Sequence, residues 1–207
     1  MRSVAEPKLV LGLESAGALL TPEEFDAIED YDENYRYELI HGVLVVSPLP
    51  LPQETGPNEL LGHYLLVYQE SHPQGSNLDL TLPQQYVKVR GGRRIADRLI
   101  WAGLGYVPDT RQDTASVAAE FVSAGRRNHK RDYVEKRREY KEAGLKEYWI
   151  IDRFQRTMTV IQYRGKKVVV KIIRESETYE SPLLPGFQVP LAKLLEAADR
   201  LARRKRR

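Results

Sequence analysis

The segment from residue 130 to residue 152 constrains the fold more than any other part of the sequence. Its first part predicts a helix over 130–143, which ends before Gly144, a residue type that commonly follows the last helical turn. The run EYWIID at 147–152 comes next, and its strongly apolar character predicts a buried strand. A helix followed closely by a buried strand indicates a sheet with helices packed against it.

The other predicted elements lie on both sides of this segment. They are a short helix from Pro22 to about Asp30 with a capping box at Thr21 and Glu24, a β-hairpin at 35–47, a helix at 58–70, strands at 78–82, 85–90, 93–102, 116–123, 157–163 and 167–174, and a C-terminal helix at about 190–203. We therefore predict an α/β (α+β) fold, a mixed β-sheet flanked by helices with an N-terminal β-hairpin. The predicted organisation is a flexible leader at 1–20, a single domain at 21–190, and a C-terminal helix with a basic tail at 190–207.

The basic charge of the chain is concentrated at its C-terminus. The sequence holds 32 Lys and Arg against 29 Asp and Glu, a net charge of +3. Six of the basic residues lie in the last eight positions, so the rest of the chain has 26 against 29, a net charge of −3. Such a tail either contacts nucleic acid or an anionic surface, or is a solvated helix end.

Several classes of site are excluded by features that the sequence lacks. The 207 residues include no cysteine, which excludes disulfides and cysteine-based zinc sites, and the four histidines form no HxxxH pair. There is no GxxxxGK[ST] run, no GxGxxG run after a strand and no GxSxG elbow. No apolar run approaches the ~20 residues of a membrane span, and the N-terminus makes a poor signal peptide, so we expect a cytoplasmic protein without membrane attachment.

Two carboxylates lie in strands that are otherwise largely apolar. Asp97 occurs in RRIADRLIWA and Glu120 in SVAAEFVS, and a carboxylate in such a strand needs a partner. Carboxylates that lie close together repel each other unless a cation joins them, and their oxygens suit Mg²⁺ or Mn²⁺. Lys136, which shares a helix face with Asp132 and Tyr140, supplies the ammonium that a phosphoryl-transfer site needs.

A second interpretation of these carboxylates requires no metal. A buried Asp or Glu in a strand is more often paired with an arginine, and Arg94, Arg98, Arg126 and Arg127 are available for such pairs. Because perturbed carboxylates mark function only in a fraction of cases, both interpretations stay open at this point.

Basic residues are concentrated around the predicted helix. They are Arg126, Arg127, Lys130, Arg131, Arg137 and Arg138. A basic cluster beside two carboxylates is suited to follow a phosphate backbone. The alternative is a solvated helix face whose charge is balanced by Asp132, Glu135 and Glu139. We favour contact of the first four basic residues with DNA.

Four pieces of sequence occur in a characteristic order. They are YELIHGVLVVSP at 37–48, ADRLIW at 96–101, AAEFVSAG at 118–125 and DYVEKRREYKEAGLKEYWIID at 132–152. Together they resemble the Uma2 family, also called DUF820, over roughly residues 35–165. The last piece is the most specific, because many of its positions match at fixed spacing.

The resemblance implies a PD-(D/E)XK nuclease fold with a restriction-endonuclease-like core. In that fold, residues matching Asp97 and Glu120 hold Mg²⁺, and a lysine assists the nucleophilic water. Two positions depart from the wider superfamily: Val122 stands where the lysine is usual, with Lys136 on the next helix in its place, and Ala96 replaces a proline. The family is typically bacterial, and cleavage of both DNA strands implies a homodimer.

The resemblance leaves one further ligand and two functions to consider. Glu38 matches a family motif, which implies an additional metal or water ligand; alternatively, it is the polar position of an amphipathic strand. The first function is a metal-dependent endonuclease that hydrolyses DNA phosphodiester bonds, with Asp97, Glu120 and Lys136 as its catalytic residues. The second is a module that keeps the nuclease fold, has little activity, and binds nucleic acid or a protein partner.

Overall fold

The computed structural model describes residues 10–202 of the chain. Its strands and helices are, in chain order, β1 (Val10–Leu11), α1 (Pro22–Asp26), β2 (Asp30–Tyr31), β3 (Tyr35–Ile40), β4 (Val43–Pro48), α2 (Pro52–Ser71), β5 (Leu78–Val89), β6 (Gly92–Ala102), β7 (Val117–Phe121), α3 (Arg126–Lys130), α4 (Lys136–Glu142), β8 (Glu147–Asp152), β9 (Thr157–Arg164), β10 (Lys167–Arg174), β11 (Tyr179–Glu180), β12 (Gln188–Val189) and α5 (Leu191–Ala202). The first half of the predicted leader and most of the predicted basic tail lie outside the described residues.

The described chain divides into two units, and β5 and β6 contribute residues to both. The smaller unit comprises residues 10–49 and 88–95, and the larger unit comprises residues 50–87 and 96–202.

The smaller unit contains the predicted β-hairpin. Strands β3 and β4 pair antiparallel and are joined by His41 and Gly42, whose φ values are 51° and 79°. A two-residue turn with positive φ at both positions matches the twist of the strands, and glycine adopts such a φ without strain. The prediction of a hairpin with its turn at these residues is confirmed. The buried apolar side chains of this unit are Leu11, Phe25, Tyr37, Leu39 and Leu44.

Helix α1 begins with the predicted capping box. The hydroxyl of Thr21 accepts a hydrogen bond from the Glu24 amide, and the Glu24 carboxylate accepts one from the Thr21 amide. These two bonds satisfy amides that have no partner within the helix. The helix ends at Asp26, earlier than the predicted end near Asp30.

Helix α2 begins earlier than the sequence analysis predicts. The sequence predicts a loop in the proline-rich stretch before residue 58, but the helix starts at Pro52. Proline suits the first helical position because its φ is already helical and it has no amide to satisfy there. The Glu54 carboxylate also accepts a hydrogen bond from the Leu51 amide at 3.0 Å, which caps the first turn.

Among residues 10–202, no helix combines the length and the apolar character that crossing a membrane requires.

The larger unit contains a mixed β-sheet. Its strands lie in the order β10, β9, β8, β7 and β6, and β5 also pairs with β6. Strands β7 and β8 are parallel, whereas the other neighbouring pairs of that order are antiparallel. Parallel neighbours need a long connection, and the helical segment at 126–142 supplies it.

The two faces of this sheet differ in chemistry. Because side chains alternate along a strand, Ala119 and Phe121 of β7 point to one face and Glu120 points to the other. Helices α2 and α5 pack on the first face, where the buried side chains include Leu61, Leu65, Tyr68, Ile100, Val117, Trp149, Ile151, Val160, Leu191, Leu194 and Leu195. On the second face, Tyr140 of α4 meets Tyr148 of β8 edge to face, with ring centroids 5.0 Å apart.

Two elements differ from the prediction in their continuity. The sequence predicts separate strands at 78–82 and 85–90, but β5 is one strand that contains Gln84 at a φ of 51°. The helix predicted from residue 130 begins at Arg126 and passes through a π-helical turn at Arg131–Glu135 before α4. A π-helical turn widens the helical repeat and is frequent at functional sites.

A buried carboxylate connects β8 to β9 and to the segment that follows β10. Glu147 is 2% exposed and accepts hydrogen bonds of 2.8–2.9 Å from four side chains: Trp149 Nε1, Gln162 Nε2, the Tyr179 hydroxyl and the Ser181 hydroxyl. The four donors are neutral, so hydrogen bonds rather than an opposite charge stabilise this carboxylate.

We predict that Glu147→Ala destabilises the protein by about 3 kcal/mol or more, because four buried donors lose their acceptor. Denaturant unfolding measures the change. The matched control is Glu142→Ala on the exposed side of α4, which we expect to stay within about 0.5 kcal/mol of the wild type. Equal stabilities of the two variants would contradict the role of Glu147.

Candidate functional site

The strand pairing of the larger unit brings Asp97 and Glu120 to the same place. Arg98 of β6 lies opposite Ala119 of β7, so Asp97 and Glu120 are the next residues along the two antiparallel strands. Residues that face each other across antiparallel strands point to the same side of the sheet. Both carboxylates are buried, with 8% of Asp97 and 2% of Glu120 exposed.

Helix α4 brings Lys136 to Glu120. The Lys136 ammonium donates a hydrogen bond to Glu120 Oε1 at 2.7 Å, and the Tyr140 hydroxyl donates to the same oxygen at 2.8 Å. Lys136 is 3% exposed, so this contact is buried, and the Tyr140 phenol supports it. Lys136, which lies on the helix and not at the usual lysine position occupied by Val122, therefore contacts the carboxylate of β7.

The predicted helix face is also present. Asp132, Lys136 and Tyr140 are all buried, although the π-helical turn lies between the first two. The Asp132 carbonyl accepts a hydrogen bond from the Tyr148 hydroxyl, and the Tyr133 hydroxyl donates to Asp152 Oδ2. Both ends of β8 thus hold the helical segment that carries the lysine.

Asp132 has one carboxylate oxygen that lacks a hydrogen bond. Its Oδ1 accepts from Arg131 Nε at 2.9 Å, whereas its Oδ2 is buried and has no partner. A buried carboxylate oxygen without a donor is unusual in folded proteins, and it is a polar atom to which a cation would be attracted.

The electrostatics of Glu120 follow from its burial and its neighbours. Burial raises the pKa of Glu120 to about 8, and the charges of Asp97 and Asp132 raise it too, whereas the Lys136 ammonium lowers it. The charges of two carboxyl groups thus act on Glu120, which the Lys136 ammonium contacts. A divalent cation at this point would favour the ionised form of Glu120.

The carboxylate of Asp97 is held at both oxygens. Its Oδ2 accepts a hydrogen bond from the Phe121 amide at 2.8 Å, and its Oδ1 accepts one from Gln84 Nε2 at 3.2 Å. The sequence analysis did not identify Gln84, because nothing in a Pro-Gln-Gln run shows which glutamine will face a residue on the next strand.

Helix α2 supports the strand that carries Asp97. Asn58 Nδ2 donates to the Asp97 carbonyl at 2.7 Å, and Asn58 Oδ1 accepts from Arg98 Nε at 2.8 Å. Arg98 also donates to the Thr81 hydroxyl at 3.2 Å and lies 3.7 Å from the Glu59 carboxylate. Burial lowers the pKa of Arg98, and Glu59 opposes that effect. The guanidinium is thus held by α2 and β5.

The donor set fits a hard divalent cation held by few protein ligands. Mg²⁺ binds oxygen and commonly takes one or two carboxylates, with waters and substrate phosphates completing its shell. Asp97 and Glu120 supply two such carboxylates. Within the described residues, no three or more His, Cys, Asp or Glu side chains are arranged to hold a metal by themselves.

The remaining predicted site residues are Glu38 and four basic residues. Glu38 belongs to the smaller unit, where its carboxylate accepts a hydrogen bond from the Ile95 amide at 3.0 Å. Arg126, Arg127 and Lys130 are exposed on α3, whereas the half-buried Arg131 is engaged with Asp132. The functional roles of these residues stay predictions.

Comparisons with known proteins agree with this architecture. A model of the Uma2 family, described as "putative restriction endonuclease", matches residues 22–192. The chain is also similar to the crystal structure of a protein from Anabaena variabilis described as a "putative nuclease belonging to DUF820". Its TM-score is 0.66 at 11% sequence identity, and the match covers 86% of this chain and 99% of that one. At this identity the likeness concerns the fold, and it confirms the predicted fold class. No curated protein matches the chain.

We predict that Glu120→Gln changes the pH dependence of stability. The ordinary pKa of 4.5 is raised to about 8 in the folded chain, so between these values the folded chain binds more protons than the unfolded chain. The free energy of unfolding of the wild type therefore falls as pH rises through this window. The equilibrium constant for unfolding rises by at most about tenfold per pH unit. Glutamine does not ionise, so the variant lacks this decrease.

Denaturant titrations from about pH 5 to about pH 8 measure the difference between the two profiles. The exposed Glu142→Gln serves as the control and should follow the wild-type profile. Parallel profiles for the wild type and Glu120→Gln would show that Glu120 titrates normally.

Proposed function

The chain belongs to the Uma2 family, and on that premise we propose that it is a metal-dependent endonuclease that hydrolyses DNA phosphodiester bonds. One observation carries the proposal: the buried contact of 2.7 Å between Lys136 and Glu120, which lies next to Asp97 across β6 and β7. Two carboxylates and an ammonium from three elements are the side chains that metal-assisted phosphoryl transfer uses.

Each of the three residues has a role that follows from its chemistry. Asp97 and Glu120 would hold Mg²⁺ or Mn²⁺, which when bound polarises a phosphate and lowers the pKa of a water. Lys136 places a positive charge beside these carboxylates, where it stabilises negative charge that develops on a phosphate. Tyr140 orients Glu120 through Oε1, and the Phe121 amide orients Asp97 through Oδ2.

The proposed substrate surface is the start of the helical segment after β7. Arg126, Arg127 and Lys130 are exposed on α3, close in sequence to Glu120. Exposed basic side chains bind a phosphate backbone without reading its sequence, so they support binding of DNA but not a choice of target. Arg131 is proposed to assist them. Because both strands of a duplex must be cut, the proposed active form is a homodimer.

We predict that Asp97→Asn and Glu120→Gln each lower Mg²⁺- or Mn²⁺-dependent nicking of supercoiled plasmid by about 100-fold or more, because each removes a charged ligand. Lys136→Met should lower the rate while metal binding is retained. The control is Glu142→Gln, an exposed carboxamide substitution on the same helix as Lys136. If folded Asp97→Asn nicks plasmid at the wild-type rate, the assignment of the site is wrong.

A second function is favoured by the burial of the site. Glu120 and Lys136 are each at most 3% exposed, and no three-ligand metal cluster occurs in the described residues. A nuclease fold with an inward ion pair is suited to a module that binds nucleic acid or a protein partner with little catalysis. DNA binding by a wild type that neither nicks plasmid nor binds Mn²⁺ would favour this second function.

We predict that the triple variant Arg126→Gln, Arg127→Gln, Lys130→Gln weakens DNA binding and flattens its salt dependence. Each lost phosphate contact should reduce the slope of log K against log salt by about 0.9. The matched control replaces three exposed basic residues at the turn between β9 and β10, Arg164, Lys166 and Lys167, by glutamine. Fluorescence anisotropy at several salt concentrations measures the slope for each variant. Equal slopes for the triple variant and its control would contradict the placement of α3 in the DNA-binding surface.

A further inference from the structure

Gln84 has an unusual backbone conformation for a residue inside a strand. Its φ of 51° lies in the left-handed region that residues with a side chain rarely adopt. Among the described residues, His41 and Arg156 also have this conformation, but both lie in turns between strands. Such strain persists only where the surrounding structure enforces it, and it is concentrated at functional sites.

The conformation gives the Gln84 side chain a specific partner. Its amide Nε2 donates a hydrogen bond to Asp97 Oδ1 at 3.2 Å. An irregular point in a strand changes the direction of the side chain that it carries, which is a common use of β-bulges beside active sites. The neighbouring Gln85 instead donates to the Pro83 carbonyl at 3.0 Å and has no such contact with Asp97 in the structure.

The contact with Gln84 places a donor on the second oxygen of the Asp97 carboxylate. The Phe121 amide binds Oδ2 and the Gln84 amide binds Oδ1, so the two donors hold the carboxylate from both oxygens. Donors on both oxygens oppose rotation of the carboxylate. A carboxylate oxygen that accepts one hydrogen bond can also coordinate a cation.

The chemistry of the donor is suited to this task. A carboxamide is neutral, so it orients the carboxylate without competing with a cation for its negative charge. An arginine or lysine at position 84 would neutralise Asp97 and weaken its affinity for metal. Groups that orient metal ligands in this way typically change metal affinity by 10–100-fold when they are removed.

We propose that Gln84 is a positioning residue, which holds the Asp97 carboxylate in the orientation that binds a divalent cation. This proposal rests on the proposed metal-dependent function. It accounts for the strained residue within β5: the strand keeps a left-handed glutamine because that conformation delivers the amide to Oδ1.

The test compares the full-length wild type with Gln84→Gly, Gln84→Asn and the neighbouring control Gln85→Gly. Glycine relieves the strain at φ 51° and removes the amide, and asparagine tolerates this φ but has a shorter side chain. We expect the Mn²⁺ dissociation constant, measured by calorimetry, to rise by about 10–100-fold in both position-84 variants, with a melting temperature that does not fall in Gln84→Gly. Gln85→Gly should bind Mn²⁺ like the wild type.

Two outcomes overturn the proposal. One is wild-type Mn²⁺ affinity in either folded position-84 variant; the other is an equal loss of affinity in Gln85→Gly, which would show a general effect of weakening the strand. If Gln84→Gly fails to fold, Gln84→Asn decides.

A metal-free readout separates this proposal from the proposed function. If the wild type itself binds no Mn²⁺, the metal-dependent function fails, and crystal structures of the wild type and Gln84→Gly then decide the positioning role. An Asp97 carboxylate that rotates away from its wild-type orientation while keeping the Phe121 amide contact supports that role. An unchanged carboxylate overturns it.

Discussion

The buried contact between Glu120 and Lys136 is the constraint on which the larger unit depends. Removing two ionisable groups from water is unfavourable unless they meet with good geometry, and here a 2.7 Å hydrogen bond and a tyrosine hydroxyl provide it. The contact requires that Glu120 of β7 points to the face of the sheet on which α4 lies, and that Lys136 of α4 points toward the same place. Strand register and helix rotation are therefore coupled by one pair of atoms.

The alternation of side chains in β7 and β8 separates packing from chemistry. One face of the sheet carries apolar residues that pack on α2 and α5, and the other carries Glu120 and Tyr148 beneath the helical segment. Because packing occupies the first face, the second can hold charged groups without weakening the apolar core. A π-helical turn precedes Lys136 and widens the helical repeat there, and such turns are frequent at functional sites.

Hydrogen bonds from neutral groups help to hold Asp97 in place. A backbone amide and the Gln84 carboxamide bind its two oxygens, while Asn58 links its carbonyl to Arg98. Neutral donors leave the negative charge of the carboxylate available, whereas the charges of Asp97 and Asp132, which raise the pKa of Glu120, favour an added cation. Oriented carboxylates beside one lysine account for the chemistry that we propose for this site.

The sequence by itself determined the strands from β7 to β10, the hairpin, and Asp97, Glu120 and Lys136 as candidates, because alternation, turn glycines and carboxylates in apolar strands are local signals. It did not determine the early start of α2, the continuity of β5 through Gln84, or the support from Asn58. Asn58 and Asp97 are 39 positions apart, and their contact exists only when α2 packs on β6. Hydrogen bonds between distant segments depend on the packing of whole elements, so the tertiary structure alone decides which polar side chains serve the site.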